Sequence, residues 1–223
     1  MDYAVNVIQF PAHLTKAKSR AKPGHEIKYY TEKQIKALRR VCKDASFLAR
    51  SVNQVTGVRE WIVVDVLTST GMRVSECADL RCGDLRTAYG DSELVIRNGK
   101  GRKSRIVQIP ESLKIHLKSY LRWKVDKGEP IDTNDYLFLG QRGAMTDQAI
   151  QQIVKKYLKL LGIYENGKSV HALRHSYAVE YYRKTKDLRG LQKQLGHVSI
   201  QNTQIYADVS KEDIQENIKG LWG

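Results

Sequence analysis

Four clusters of polar residues in this 223-residue chain hold the side chains best suited to chemistry. The first is Thr70-Gly71-Met72-Arg73-Val74-Ser75-Glu76. The second runs from Asn98 to Arg105 and contains Lys100, Arg102 and Lys103. The third is His171-Ala172-Leu173-Arg174-His175. The fourth is Leu195-Gly196-His197, with Tyr206 nine residues further on. Arg73 and Arg174 can each fork onto the nonbridging oxygens of a phosphate. Lys100, on a glycine-flanked turn, can reach a phosphate as a proton donor, with Lys103 as its rival on the same short turn. The histidines can move or share a proton near neutral pH. Tyr206 becomes a nucleophile once its proton is removed and the phosphate charge is neutralised. This set suffices for phosphoryl transfer without a metal. The chain has no DxD, DDE or HNH-like carboxylate constellation, which disfavours two-metal nuclease chemistry. His171 and His175 share a metal-ligand spacing, but Arg174 lies between them and no carboxylate partner is near. No metal and no cofactor is therefore expected.

These clusters fall at breaks between regular elements. Thr31 to Gln34 has the form of a capping box, and Ile35, Leu38, Val41, Cys42, Ala45 and Leu48 follow at helical spacing. A second apolar helix is expected from about Gly57 to Thr70, broken by Gly71, with a short helix over Val74 to Leu80. The period then changes. Glu93 to Ile96 and Arg105 to Ile109 read as two strands joined through Asn98-Gly99-Lys100-Gly101. A helix over Ser112 to Val125 follows, then a short extended segment at Tyr136 to Leu139. Thr146 opens another helix that stops near Gly162. Further helices are expected over Ala172 to Lys184, Leu188 to Leu195 with its stop at Gly196, Ile200 to Ala207, and Glu212 to Leu221. Tyr177, Tyr181 and Tyr182 share one helix and are read as packing or DNA-face residues. The fold class is α+β: a mostly helical domain with one small antiparallel sheet.

Charge and composition agree with a nucleic-acid partner. Lys plus Arg number 38 against 24 Asp plus Glu, a net charge of +14, and the pI is near 9.6. Such a field favours a polyanion, nucleic acid first and an acidic membrane second. No window approaches ~18 uninterrupted apolar residues, so no membrane span is expected, and the N-terminus does not read as a signal peptide. Three cysteines without a CxxC pair argue against a disulfide scaffold or a zinc site. Residues 1–28 carry Lys16, Lys18, Arg20, Lys22 and Lys28 and read as a basic arm or linker; residues 29–223 read as one catalytic domain.

The four clusters, in their order, closely resemble the boxes of the tyrosine recombinase (phage integrase) family. The matching pieces are the Arg73 box, Gly99-Lys100-Gly101 with Arg105-Ile106-Val107, the His171–His175 box, and Leu195-Gly196-His197 with Thr203-Gln204-Ile205-Tyr206. The resemblance runs from about Thr31 to the C-terminus. It implies the integrase-like catalytic core of DNA breaking-rejoining enzymes. It also implies that Tyr206 attacks a DNA phosphodiester to form a 3′-phosphotyrosyl link and release a 5′-hydroxyl. Arg73 and Arg174 would then hold the phosphate, Lys100 protonate the leaving oxygen, His171 accept or shuttle the tyrosine proton, and His197 hydrogen-bond the phosphate. Glu76 and His175 would support them, with Arg102, Lys103 and Arg105 as candidates for the DNA backbone. On this reading Arg174→Ala abolishes cleavage and leaves folding intact.

The implied partner is double-stranded DNA, bound by a homotetramer on paired sites that is monomeric or weakly dimeric when free. An accessory DNA-bending protein could assist, and a cytoplasmic, nucleoid-associated location follows. The biological use could be integration and excision, inversion or dimer resolution. Many relatives carry a further helical domain ahead of the catalytic one. This chain looks closer in layout to the small fimbrial-switch invertases. Two other classes stay open: a catalytically silent DNA-binding regulator on the same fold, and a type IB topoisomerase-like enzyme or telomere resolvase. The segment Glu212 to Leu221 could pack on its own domain or on a neighbouring protomer.

Overall fold

A computed structural model of the chain describes residues 27–97, 104–141, 143–168, 170–197 and 199–207. Lys100, Arg102, Lys103, most of the basic arm and the segment Glu212 to Leu221 lie outside the described residues.

Helix α1 (Glu32–Ser51) starts at the expected capping box. The Gln34 N–H donates to Thr31 Oγ1 at 3.3 Å, and the Thr31 N–H donates to Gln34 Oε1 at 2.9 Å. It packs along α2 (Thr56–Thr70), which is buried over most of its length and forms the axis of the core. Two carboxylates in α2 are buried as well, and each is paired. Glu60 receives Lys156 at 2.7 Å and the Tyr157 hydroxyl at 2.6 Å. Asp65, 0% exposed, binds the Arg39 guanidinium and, at 2.7 Å, His116 Nδ1. Arg39 reaches on to Thr68 and Ser69, so one side chain fastens α1 to α2. Removing one partner of a buried pair leaves the other charge stranded. We therefore expect Arg39→Ala to lower unfolding stability by about 3 kcal/mol, read as a lower urea midpoint at unchanged slope. A shift under about 1 kcal/mol would mean that the pair behaves like a surface one.

Gly71 ends α2 with φ +62°. A Cβ there would meet the Tyr177 ring at 2.4 Å, so both the turn and the close approach require glycine. After the short α3 (Val74–Ala78) come β1 (Leu85–Arg86), β2 (Glu93–Ile96) and β3 (Arg105–Gln108). They form an antiparallel sheet in the order β1-β2-β3, with Ile96 opposite Arg105 and Glu93 opposite Gln108. Leu94, Ile96 and Val107 face the core. Helix α4 (Glu111–Asp126) adds Tyr120 and Trp123, stacked at 5.4 Å and backed by Phe138.

The two strands of the hairpin were legible in the sequence; β1, only two residues long, was not. Nor is there a single sheet. A second ribbon pairs β4 (Leu139–Gly140) with β5 (Gly143–Ala144), using part of the expected extended segment. Its strands are too short to show an alternation.

Helix α5 (Asp147–Leu160), capped by Thr146, closes the core. Helices α6 (Val170–Thr185), α7 (Leu188–Leu195) and α8 (Gln201–Gln204) follow, and α7 ends at Gly196 with φ +67°. Ala178, Leu191, Leu195 and Tyr206 form a small apolar cluster separate from the main core, with Tyr177, Tyr181 and Tyr182 packed on it. Among the described residues no helix is long and apolar enough to cross a membrane.

Candidate active site

Arg73 enters the site because Gly71 turns the chain out of α2 and points residue 73 at the start of α3. Its N–H donates to Glu76 Oε2 at 2.8 Å and its Nη1 to Glu76 Oε1 at 2.7 Å. Arg105, at the start of β3, forks onto the same carboxylate at 2.7 and 2.8 Å. One buried carboxylate thus holds two arginines from distant segments. Burial alone would raise the Glu76 pKa; the Arg105 guanidinium, helped by Arg73, outweighs it and holds the group at about 2.

A folded pKa held below the ordinary carboxylate value stabilises the fold fully above that ordinary value. The stabilisation is lost as pH falls through the folded value. We expect wild-type stability to decline by about 3 kcal/mol between about pH 4.5 and pH 2 through this group. In Glu76→Gln that part of the acid loss disappears and neutral-pH stability is lower. Chemical denaturation at several pH values checks it; parallel pH curves for the two proteins would refute it.

Arg105 is the first departure from the sequence expectation. The sequence reading made it a candidate for the DNA backbone; here its guanidinium forks onto Glu76 and its Nε donates to the Gln194 carbonyl at 3.3 Å. The side chain is only 12% exposed, and a Cβ on Gly196 would strike it at 2.7 Å. It braces the arginine box against the end of α7. Gln194 reinforces the brace, a role that sequence reasoning missed. Its amide accepts from the Gln108 N–H at 3.1 Å and donates to the Gln108 carbonyl at 2.6 Å, clasping the free edge of β3. A single glutamine on a polar helix face gives no sequence signal for such a contact.

Arg174 lies on α6 and is 7% exposed. Its Nη1 donates to the Gly71 carbonyl at 2.8 Å and its Nη2 to the Leu195 carbonyl at 2.8 Å. Both carbonyls lie where a glycine in the left-handed region stops a helix. The guanidinium therefore sits between two helix C-termini, where backbone dipoles favour a cation. Burial first and Arg73 second lower its pKa to about 10, which leaves it charged at neutral pH. Nη2 also lies 3.1 Å from His197 Nε2. Arginine offers only donors, so Nε2 accepts here and Nδ1 carries the hydrogen that Thr203 Oγ1 receives at 2.9 Å. Burial, then Arg174 and Arg73, hold the His197 pKa at about 4. In this arrangement His197 bridges Arg174 and Thr203 at the wall of the cleft, beside the guanidinium with which the sequence reading had it share a phosphate.

Tyr206 is 2% exposed, and its hydroxyl lies 2.9 Å from His175 Nδ1. Burial raises its pKa and Arg174 opposes that rise. Burial, His171 and Arg174 lower the pKa of His175. His171 itself stands exposed at the cleft mouth, one turn away on α6. Arg73, Arg174, His171, His175, His197 and Tyr206 line one open cleft of about 310 Å³. Among the described residues no cluster of three His, Cys, Asp or Glu side chains is arranged for a metal.

Two guanidinium groups, three imidazoles and a phenol around one cleft match a phosphoryl-transfer site, and residues 28–213 match the phage integrase family. The chain belongs to the phage integrase family. The tyrosine recombinase XerC of Oceanobacillus iheyensis is 34% identical over 177 residues, covering 78% of this chain and 56% of that relative. The crystal structure of XerA recombinase overlays with a TM-score of 0.68 at 28% identity, covering 87% of this chain and 65% of that one. XerH bound to palindromic difH substrate, in a post-cleavage complex, overlays with a TM-score of 0.71 at 24% identity and shows the shared fold. It covers 88% of this chain and 54% of that one. The chain thus spans little more than half the length of the XerC relative and of XerH, and about two thirds of XerA.

Proposed function

We propose that this phage integrase family member is a site-specific DNA recombinase that cuts and rejoins duplex DNA through a 3′-phosphotyrosyl intermediate. One observation carries the reading: Arg73, Arg174, His197 and Tyr206, from segments far apart in sequence, converge on one cleft. The Tyr206 oxygen bonds to phosphorus as the bond from phosphorus to the 5′-oxygen breaks. Arg73 and Arg174 neutralise the charge that builds on the nonbridging oxygens. Lys100, which falls between β2 and β3 in the sequence, protonates the leaving oxygen. A 5′-hydroxyl then attacks the phosphotyrosine and returns the ester bond, so no ATP is consumed.

The wider reading follows the same logic. Residues 29–223 act as one catalytic domain, while the basic arm over 1–28, Arg102 and Lys103 contact backbone phosphates. Activity on paired sites by a homotetramer in a nucleoid-associated, cytoplasmic setting completes the proposal.

The test uses a nicked suicide duplex carrying the DNA that flanks the gene. A covalent adduct that maps to Tyr206 by mass spectrometry supports the proposal. DNA binding with no adduct on such a site would favour a silent regulator instead.

A further inference from the structure

Tyr206 must lose a proton before or as it attacks, and the cleft offers few groups to take it. The carboxylate of Glu76 is saturated by two guanidiniums and a backbone N–H. His197 is engaged at both nitrogens, Nε2 by Arg174 and Nδ1 by Thr203. His171 is solvent-exposed at the cleft mouth. His175 remains, with Nδ1 in direct hydrogen-bond reach of the nucleophile at 2.9 Å and the two rings 5.8 Å apart.

We infer that His175, rather than His171, is the catalytic residue that accepts the Tyr206 proton. The inference rests on the recombinase reading and adds to it a role that the sequence assigned elsewhere. During cleavage the phenolic proton passes to His175 Nδ1, the phenolic oxygen bonds to phosphorus, and the 5′-oxygen departs with a proton from Lys100. During rejoining the attacking 5′-hydroxyl gives its proton back to Lys100 as its oxygen bonds to phosphorus, and His175, now an imidazolium, returns the other proton to the departing phenolate. The groups that face His175 are Tyr206 and His197 from the α7–α8 end, and His171 and Arg174 on its own helix. Burial first, then His171 and Arg174, favour the neutral imidazole, the form able to accept.

His175→Asn separates proton acceptance from positioning, because its amide can occupy the Nδ1 site and hold the Tyr206 hydroxyl but cannot take a proton. Single-turnover cleavage on the suicide duplex should fall about 100-fold or more. The wild-type rate should drop in acid as His175 protonates, and that acid limb should vanish in His175→Asn while persisting in His171→Asn. Fluorotyrosine at position 206, a phenol that ionises more readily, should restore most of the rate lost in His175→Asn. A purely structural role would show no such rescue. His175→Gln repeats the test if the Asn variant yields little folded protein. A His175→Asn enzyme with wild-type rate and acid limb would overturn the assignment, as would loss of the limb in His171→Asn alone. A wild-type chain that forms no adduct would instead sink the recombinase reading beneath it.

Discussion

Tyr206→Phe should abolish covalent capture of DNA altogether while leaving duplex affinity unchanged. The substitution removes one oxygen from a side chain that is 2% exposed and packed on Leu191 and Leu195. The apolar packing stays. What goes is the hydroxyl at His175 Nδ1, one buried hydrogen bond, for which a loss of about 1 kcal/mol is the usual scale. Folding should therefore survive with a small drop in melting temperature. Chemistry should not survive, because a phenyl ring offers no nucleophile. The measurement is a denaturing gel of the suicide-duplex reaction beside a binding isotherm. An adduct of wild-type yield in Tyr206→Phe would move the nucleophile to another tyrosine and return Tyr206 to a packing role.

The second large effect belongs to Arg174. From the sequence alone its truncation should silence cleavage and spare the fold. The structure changes the second half of that expectation. Arg174 holds the Gly71 and Leu195 carbonyls, each at 2.8 Å, so truncation leaves two buried acceptors without their charged donor. Hydrogen bonds to charged groups contribute about 1.5–3 kcal/mol each, and Arg174→Ala should lose about that much stability or more.

Arg174→Lys is the sharper probe. It keeps the charge, but a single ammonium cannot hold both carbonyls, His197 and a phosphate in the fixed planes that a guanidinium offers. Single-turnover cleavage should fall by roughly a thousandfold, the scale for losing a preorganised donor at a developing oxyanion, with DNA binding reduced far less. Cleavage by Arg174→Lys at the wild-type rate would refute the phosphate-clamp assignment.

The sequence exposed the pieces that have local signatures. Thr31 with Gln34 announced a helix start, Gly71 and Gly196 announced stops, and the strands on either side of Asn98-Gly99 announced a hairpin. Each signal operates over a few residues, and each element lies where expected. The boxes likewise named Arg73, Arg174, His197 and Tyr206, which the fold brings to one cleft. Pairings set by tertiary contact were not legible. Whether Arg105 faces DNA or Glu76 depends on how β3 lies against α7, and residues 105 and 194 are 89 positions apart. The same holds for the tyrosine's partner. His171 and His175 sit one turn apart on the same helix, and only the packing of α8 decides which imidazole meets the hydroxyl. His197 shows a third kind of gap. Its identity was plain, but its tautomer follows from two neighbours, Arg174 and Thr203, that fix which nitrogen carries hydrogen.

The position of Arg174 between two helix ends has a consequence for synthesis. Its anchors are the carbonyls of residues 71 and 195, one well upstream and one downstream in the chain. A ribosome delivers α1, α2 and the sheet first, and they can begin to pack while the rest is still being made. Residue 73 is then present, but the guanidinium at 174 has only one of its two anchors until residue 195 emerges, and residue 206 comes later still. A nascent chain on the ribosome thus carries Arg73 and Arg174 before it carries Tyr206, the residue proposed as nucleophile, so the proposed cleft is completed only by the last part of the chain to emerge.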